Sequence, residues 1–380
     1  MKFAHTGDCH LGGWRHPELT ELTIESFRFL VTTCIKEKLD FVLIAGDLFD
    51  TAYPSIETIK ESFNEFRRLK EANIPVFLIA GSHDYSVSGK TFLDVLEKSG
   101  FATNVFNPEE KNNTIYLLPT IYKNVAIYGY PGKRSALEVS DIERIKLHES
   151  PGLFQILMLH TALRDAIGNL PIPAVDQDKL PKVNYTALGH LHVNYNKNNR
   201  VYCGPLFPNN AQELEELKGG SFYIVDTNGK IERREIKLKE IIIVEINLKD
   251  AFKAQELINQ EISKHIIKDK IIILKLSGVI ERGKIADIPL AQIESEIKKS
   301  AYVLLKSTSK LYSQELEVNS VFEPENLEEK ALEKFMQESK SPFVSLTRQI
   351  ISNLSTEKKE EERTQIFEER IMSEITKIMQ

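Results

Sequence analysis

Short runs of Val, Ile, Leu and Phe alternate with amphipathic stretches through the first half of the chain. Phe41-Val42-Leu43-Ile44-Ala45 leads into Gly46-Asp47, and Val76-Phe77-Leu78-Ile79-Ala80 leads into Gly81-Ser82-His83-Asp84. Continuous apolar runs of this length, each closed by a turn signal, predict strands buried on both faces. Between them, Leu19 to Lys38 and Ile56 to Ala72 carry apolar residues at three- and four-residue intervals, as at Ile59, Phe63, Phe66 and Leu69. That spacing predicts helices with one face on the sheet, and hence an α/β layered domain.

The pattern then turns toward strands at Thr114 to Leu118, Val125 to Tyr128, Gln155 to Leu159 and Phe222 to Val225. Asp226-Thr227-Asn228-Gly229 reads as a tight turn between paired strands, because Asn-Gly accepts the positive φ such a turn needs. The expectation is a sheet sandwich flanked by helices over residues 1–234. From Glu235 the composition shifts to Ile, Lys and Glu, and the order becomes strand (Ile241 to Ile246), helix (Ala251 to His265), strand (Ile271 to Leu276), helix (Leu290 to Lys299) and strand (Tyr302 to Leu305). This predicts a small α/β capping domain over 235–323, without a catalytic cluster of its own. Residues 324–380 read as helical, with one apolar stripe of Leu346, Ile350, Ile351 and Leu354 and a second of Phe367, Ile371, Ile375 and Ile378. Short amphipathic helices behind a charged spacer suit docking on a partner helix, although packing on the chain's own core explains such stripes as well.

With 42% hydrophobic and 27% charged residues in 380, the chain has the composition of a folded globular protein, and its length suits two or three domains. The net charge of −6 removes whole-molecule attraction to nucleic acid, so a DNA partner would be held by a local basic surface or by metal ions. Three isolated cysteines without paired spacing, no apolar run long enough for a membrane and no secretory segment at Met1 predict a cytoplasmic protein without disulfides and without a membrane partner.

Five of the nine histidines, His10, His83, His160, His190 and His192, stand at the ends of apolar runs or beside glycine. Just past strand carboxyl ends is where an α/β sheet collects functional side chains. The ordered segments are Gly7-Asp8-Cys9-His10, Gly46-Asp47-Leu48-Phe49-Asp50, Gly81-Ser82-His83-Asp84, Leu159-His160-Thr161 and Gly189-His190-Leu191-His192. Mixed carboxylate and imidazole sets suit Mn, Fe or Zn better than Mg or Ca. Four such ligands fill one site, so six or seven imply two. Asp8-x-His10 and His190-x-His192 would each place two ligands on one side of an extended segment, leaving Cys9 on the other side as a small buried residue. His5, His16, His148 and His265 lack partners at ligand spacing.

These five segments, in this order, resemble the calcineurin-like metallophosphoesterases, whose pattern is D-x-H, G-D, G-N-H-D or G-N-H-E, H, and G-H-x-H. With the small α/β module and the helical tail, the whole chain resembles the double-strand-break-repair nucleases of the Mre-eleven (bacterial SbcD) type. The resemblance implies two Mn2+ ions per subunit, one held by Asp8, His10, Asp47 and His192 with Asp47 bridging, the other by Asp47, His160 and His190. It implies His83 as the catalytic histidine, and on physical grounds Asp84 or a backbone group would fix that ring's tautomer. It further implies 3′ to 5′ trimming of DNA ends and nicking of single strands. The implied partners are a coiled-coil ATPase of the Rad-fifty/SbcC type, docked on Leu346 to Ile378, and a second copy of this chain, for which Leu19 to Lys38 and Ile56 to Ala72 are candidate interfaces.

Two positions depart from the family pattern. Ser82 stands where the family has a ligating Asn, and a hydroxyl is a shorter and weaker donor, so the second ion is expected to bind more loosely. Asp50 stands where many relatives have a phosphate-contacting His, and a carboxylate would repel phosphate, which makes Asp50 a partner behind a ligand. Residues 202–208, with two prolines, read as a rigid loop. Trp14 and Arg15 follow the first ligand segment and could meet a base and a phosphate, against the alternative of a surface loop anchored by one aromatic. Two other functions fit the same residues: a phosphoesterase on small diesters or phosphoproteins, and a scaffold whose site is blunted by Ser82 and Asp50.

Overall fold

The computed structural model describes residues 1–313, except residues 87, 88, 90 and 169 and the side chain of Arg134. The strand β1 (Lys2–Thr6), helix α1 (Pro17–Lys36), strand β2 (Phe41–Ala45), helix α2 (Ile56–Glu71) and strand β3 (Val76–Ile79) follow the predicted alternation. β1, β2 and β3 run parallel, with Phe3 opposite Phe41 and Leu43 opposite Phe77. They sit in a six-stranded sheet that Gly220–Asp226 and Ile231–Ile236 extend antiparallel beyond β1 and that Thr103–Asn104 closes beyond β3. A second six-stranded sheet runs in the order Asn194–Lys197, Arg200–Cys203, Tyr185–Gly189, Phe154–His160, Val125–Tyr130 and Thr120–Tyr122.

The period of two along each strand decides what fills each layer. Phe3, Phe41 and Leu43 point between the sheets, where they meet Ile127, Ile156, Met158 and Tyr185. Their neighbours Ala4, Val42 and Ile44 point outward to Phe27, Val31 and Phe66 of the two helices. The outer face of the second sheet packs Tyr128, Leu157, Leu188 and Tyr202 under Ile142 and Leu163. The expected sandwich flanked by helices is therefore the observed fold. In residues 202–208, Tyr202 and Cys203 belong to a strand, and the rest is pinned by Leu206 N–H on Asp8 O (3.3 Å).

The small module is a parallel sheet of Ile241–Asn247, Ile271–Ile280 and Val303–Ser313, covered on one face by Ala254–Ser263 and Leu290–Ile297. Two of these strands are longer than the apolar pattern predicted. The polar run Lys306 to Lys310 lies beyond the strand end predicted at Leu305, but it pairs with the Leu274–Ser277 segment across a register shift. The sheet's other face, with Ile271, Ile273, Val303 and Leu305, shares a cluster with Leu19 and Leu22 of α1 and with Leu214. Tyr302 anchors the contact through its hydroxyl, which donates to Glu18 O (3.0 Å). Leu346, Ile350, Leu354, Phe367, Ile371 and Ile375 lie outside the described residues. No helix among the described residues is long and apolar enough to cross a membrane.

Candidate metal centre

All five predicted segments emerge at the carboxyl ends of parallel strands: after β1, β2 and β3 in one sheet, and at Phe154–His160 and Tyr185–Gly189 in the other. The sandwich thereby brings one edge of each sheet to a common site. The loops after β1 and β2 run side by side, with Asp8 N–H on Gly46 O (3.1 Å), His10 N–H on Asp47 O (3.0 Å) and Leu11 N–H on Leu48 O (3.0 Å).

These loops are not extended. Asp8 (φ 49°), His10 (φ 43°), Asp47 (φ 48°) and His190 (φ 98°) all have positive φ, so the alternation argument for Asp8-x-His10 and His190-x-His192 fails. The strands end at Thr6 and Gly189, and left-handed turns aim the ligand-type side chains instead. Cys9 accordingly lies in the loop, fully buried, with its Sγ 3.9 Å from Thr6 Oγ1. Each left-handed residue carrying a Cβ costs ~1–2 kcal/mol, and four of them in one site is strain stored at a functional centre. Glycine allows the approach: a Cβ on Gly46 would sit 2.3 Å from His160 Nδ1, and one on Gly81 would sit 2.2 Å from Asp47 Oδ1.

Three sets of side chains converge within 4.8 Å: Asp8, His10 and His192; Asp8, Asp47 and His160; and His10, Asp50 and His83. His160 Nδ1 donates to Ala45 O (3.0 Å), and a carbonyl only accepts, so Nε2 of the neutral ring carries a lone pair. That Nε2 is buried without a hydrogen-bond partner and faces Asp47 Oδ2 at 3.2 Å. His10 and His192 likewise meet through their Nε2 atoms at 3.1 Å, while their Nδ1 atoms face Asp50 Oδ1 (3.2 Å) and Glu213 Oε1 (2.9 Å). Asp47 Oδ2 stands between the two halves, 3.8 Å from His10 Nε2. Acceptor atoms crowding together in a buried place need either protons or cations among them, and a divalent cation satisfies the whole set.

The electrostatics show the same tension. Burial would depress His160, but the Asp47 carboxylate overrides it and carries the imidazole up to about 10. Burial raises Asp47, yet His160 and His10 hold it well below the usual carboxylate range. His192 is lowered by burial and raised on balance by its bond to Glu213. His190 is pushed down to about 4 by burial and the charge of His160, which keeps its ring neutral with a lone pair to offer. Its ring lies 5.2 Å from that of His160, and its N–H donates to Asp8 Oδ1 (2.8 Å).

His83 sits on the rim with its side chain 48% exposed, its N–H on Asp47 Oδ1 (2.8 Å) and its Nδ1 donating to Asp50 O (2.8 Å). Of the two tautomer partners foreseen for it, the backbone group is the one present. Asp84 instead buries its carboxylate under three main-chain donors, Gly81 N–H (2.9 Å), Phe49 N–H (3.1 Å) and Leu48 N–H (3.3 Å). Burial and the nearby Asp47 raise it to about 6. Ser82 is half-buried in the same turn, and its hydroxyl makes no hydrogen bond among the described residues. Trp14 is half-buried against the cluster that joins α1 to the small module, and its indole N–H donates to Pro208 O (2.8 Å). Arg15 is exposed and forms no ion pair among the described residues. Glu213 and Asn209 escaped the sequence reading. The only signal was Asn210-x-x-Glu213, a helix-start spacing that speaks for capping and not for a site.

Residues 1–194 match the calcineurin-like phosphoesterase family, a stretch that takes in all five segments with candidate ligands. The chain belongs to the calcineurin-like phosphoesterase family. Within it, the chain is similar to the DNA double-strand break repair protein Mre11 of Archaeoglobus fulgidus, with 30% identity over 209 residues, 51% of this chain and 46% of that protein. It is 29% identical over 288 residues to Mre11 of Methanocaldococcus jannaschii, covering 68% of this chain and 73% of that protein. It is 30% identical over 246 residues to the metallophosphoesterase YhaO of Bacillus subtilis, covering 61% of this chain and 59% of that protein. The alignments thus span about half of the Archaeoglobus protein and about three fifths of the Bacillus protein. The family resemblance read from the five motifs holds.

Proposed function

We propose that this calcineurin-like phosphoesterase is a manganese-dependent DNA nuclease, a 3′ to 5′ exonuclease and single-strand endonuclease of a double-strand-break-repair complex. The observation that carries the reading is the convergence of Asp8, His10, Asp47, His160 and His192 into overlapping ligand sets beneath a half-exposed histidine. Asp8, His10, Asp47 and His192 would hold one ion, and Asp47, His160 and His190 with Ser82 a second. Two divalent ions bound there supply charge neutralisation at a phosphodiester and a water ionised near neutral pH. His83 acts from the rim. With Nδ1–H held by Asp50 O, the protonated ring would carry its second proton on Nε2, pass it to the departing sugar oxygen and return to neutral. Asp50 holds His10 and does not contact phosphate.

Support for DNA as the substrate comes from relatives named as double-strand break repair proteins and from a small module seated beside the site. On this reading residues 1–234 are the nuclease domain, 235–323 cap it, and 324–380 bind a coiled-coil ATPase of the Rad-fifty/SbcC type. The complex is a cytoplasmic homodimer of this chain with that ATPase. Turnover of a small chromogenic diester faster than of DNA ends would overturn the assignment of substrate. Co-purification of the ATPase with a chain cut after residue 341 would overturn the assignment of the tail.

A further inference from the structure

His10 and His192 are each backed by a carboxylate on the nitrogen that faces away from the cluster. Asp50 Oδ1 lies 3.2 Å from His10 Nδ1, and Glu213 Oε1 lies 2.9 Å from His192 Nδ1. Asn209 joins these two carboxylates. Its Nδ2 donates to Asp50 Oδ1 (3.3 Å), and its main-chain N–H donates to Glu213 Oε2 (2.8 Å). The Asn209 side chain is wedged: its Oδ1 is buried without a partner, and a Cβ at Gly13 would lie 2.4 Å from that oxygen. Glu213 is fixed in turn on the short helix Ala211–Leu217, capped by Asn210, whose Oδ1 accepts from Glu213 N–H (2.9 Å). That helix rests on the small module through Leu214 and through the Glu215–Lys275 ion pair (2.8 Å).

The other imidazole pair is held differently. His160 Nδ1 hydrogen-bonds the neutral Ala45 carbonyl (3.0 Å), with the Asp8 carboxylate outside hydrogen-bond distance at 3.8 Å, and the His190 ring makes no hydrogen bond among the described residues. From this asymmetry we infer that Asp50, Asn209 and Glu213 form a positioning brace that makes the ion position served by His10 and His192 the tighter of the two. A carboxylate behind an imidazole fixes the ring and raises the basicity of its outer nitrogen, and losing such a partner weakens metal binding about 10–100-fold. Asn209 makes the two carboxylates one unit without touching either imidazole. The inference rests on the two-ion reading above.

Calorimetric titration of Mn2+ into the metal-free full chain tests it, with unfolding of the metal-free protein as the control for folding. The wild type should show two phases. Glu213→Gln should weaken the tighter phase about 10–100-fold and leave the other within twofold, and Asn209→Ala should produce a smaller loss in the same phase. The chain's single tryptophan, Trp14, reports independently, because its indole N–H is bonded to Pro208, next to Asn209. Its emission should change with the tighter phase in the wild type and follow that phase in the variants. In a His192→Gln background, Glu213→Gln should add nothing, whereas in a His190→Gln background it should act in full. An unchanged tighter phase, equal weakening of both phases, or a full additional effect in the His192→Gln background would overturn the brace. No Mn2+ binding by the wild type would instead overturn the two-ion reading.

Discussion

Asp84 offers the most quantitative test of how the centre is built. Its carboxylate joins the turn carrying His83 to the loop carrying Asp47 by accepting from Gly81, Phe49 and Leu48. In Asp84→Ala these three buried N–H groups lose their acceptor, and each orphaned donor costs about 1–3 kcal/mol. Against this stands relief of the buried charge. Burial and Asp47 raise the carboxyl from 3.8 to about 6, and at ~1.36 kcal/mol per unit its removal returns at most ~3 kcal/mol at neutral pH. The three lost donors together cost about 3–9 kcal/mol, so after the full relief the net destabilisation is expected to centre on ~3 kcal/mol and reach at most ~6, a large share of the ~5–15 kcal/mol that holds a typical domain.

Asp84→Asn separates the two terms. Oδ2 receives the bonds from Leu48 and Gly81, so one amide oxygen in its place keeps two donors satisfied and removes the charge. Its cost should stay below about 2 kcal/mol. The assay is urea denaturation in chelator, followed by far-ultraviolet circular dichroism, with Mn2+ affinity measured on the same samples. If Asp84→Ala unfolds within ~1 kcal/mol of the wild type, or if Asn is as damaging as Ala, the clasp is not what holds these loops.

Other consequences follow from individual residues. His5 lies buried between the sheets with its Nδ1 2.8 Å from the Tyr185 hydroxyl, and burial takes its pKa from 6.5 down to about 3. The fold requires the neutral ring, so this stability is complete above pH 6.5 and lost as the pH falls toward 3. A drop from pH 6.5 to 4.5 should cost the wild type about 2.5 kcal/mol more than His5→Phe, by urea denaturation in chelator, and parallel curves would refute it. Ser82→Asn replaces a shorter, weaker hydroxyl donor with an amide oxygen and should tighten the weaker Mn2+ phase by calorimetry; two equally tight phases in the wild type would contradict this. Removal of residues after 341 should abolish capture of the proposed ATPase in a pull-down while both Mn2+ phases remain.

Much of this molecule was legible because its signals are periodic or chemically distinctive. Phe41 to Ala45 announces a doubly buried strand, and the alternation of Phe41 and Leu43 with Val42 and Ile44 fills two cores. Asp and His residues beside glycine at the ends of such runs marked the candidate site in the sequence itself. The aim of those side chains was not legible, because left-handed backbone at Asp8, His10, Asp47 and His190 follows from contacts between loops of different strands. Glu213 and Asn209 were hidden for the same reason. Their partners lie far away in sequence, and locally they spell only a helix cap. Strand length in the small module was underestimated because Lys306 to Lys310 pairs through its backbone while its side chains face outward or lie half-buried.

The central claim is tested most directly by nuclease activity on an end-labelled duplex and on a single-stranded circle, with manganese, magnesium or chelator, beside His83→Ala. The account predicts cleavage with manganese that chelator abolishes, and a loss of about 10²–10⁴-fold in His83→Ala while Mn2+ binding persists. No cleavage by a wild type that binds Mn2+, alone or with the proposed ATPase, would contradict it and leave a scaffold blunted at Ser82 and Asp50.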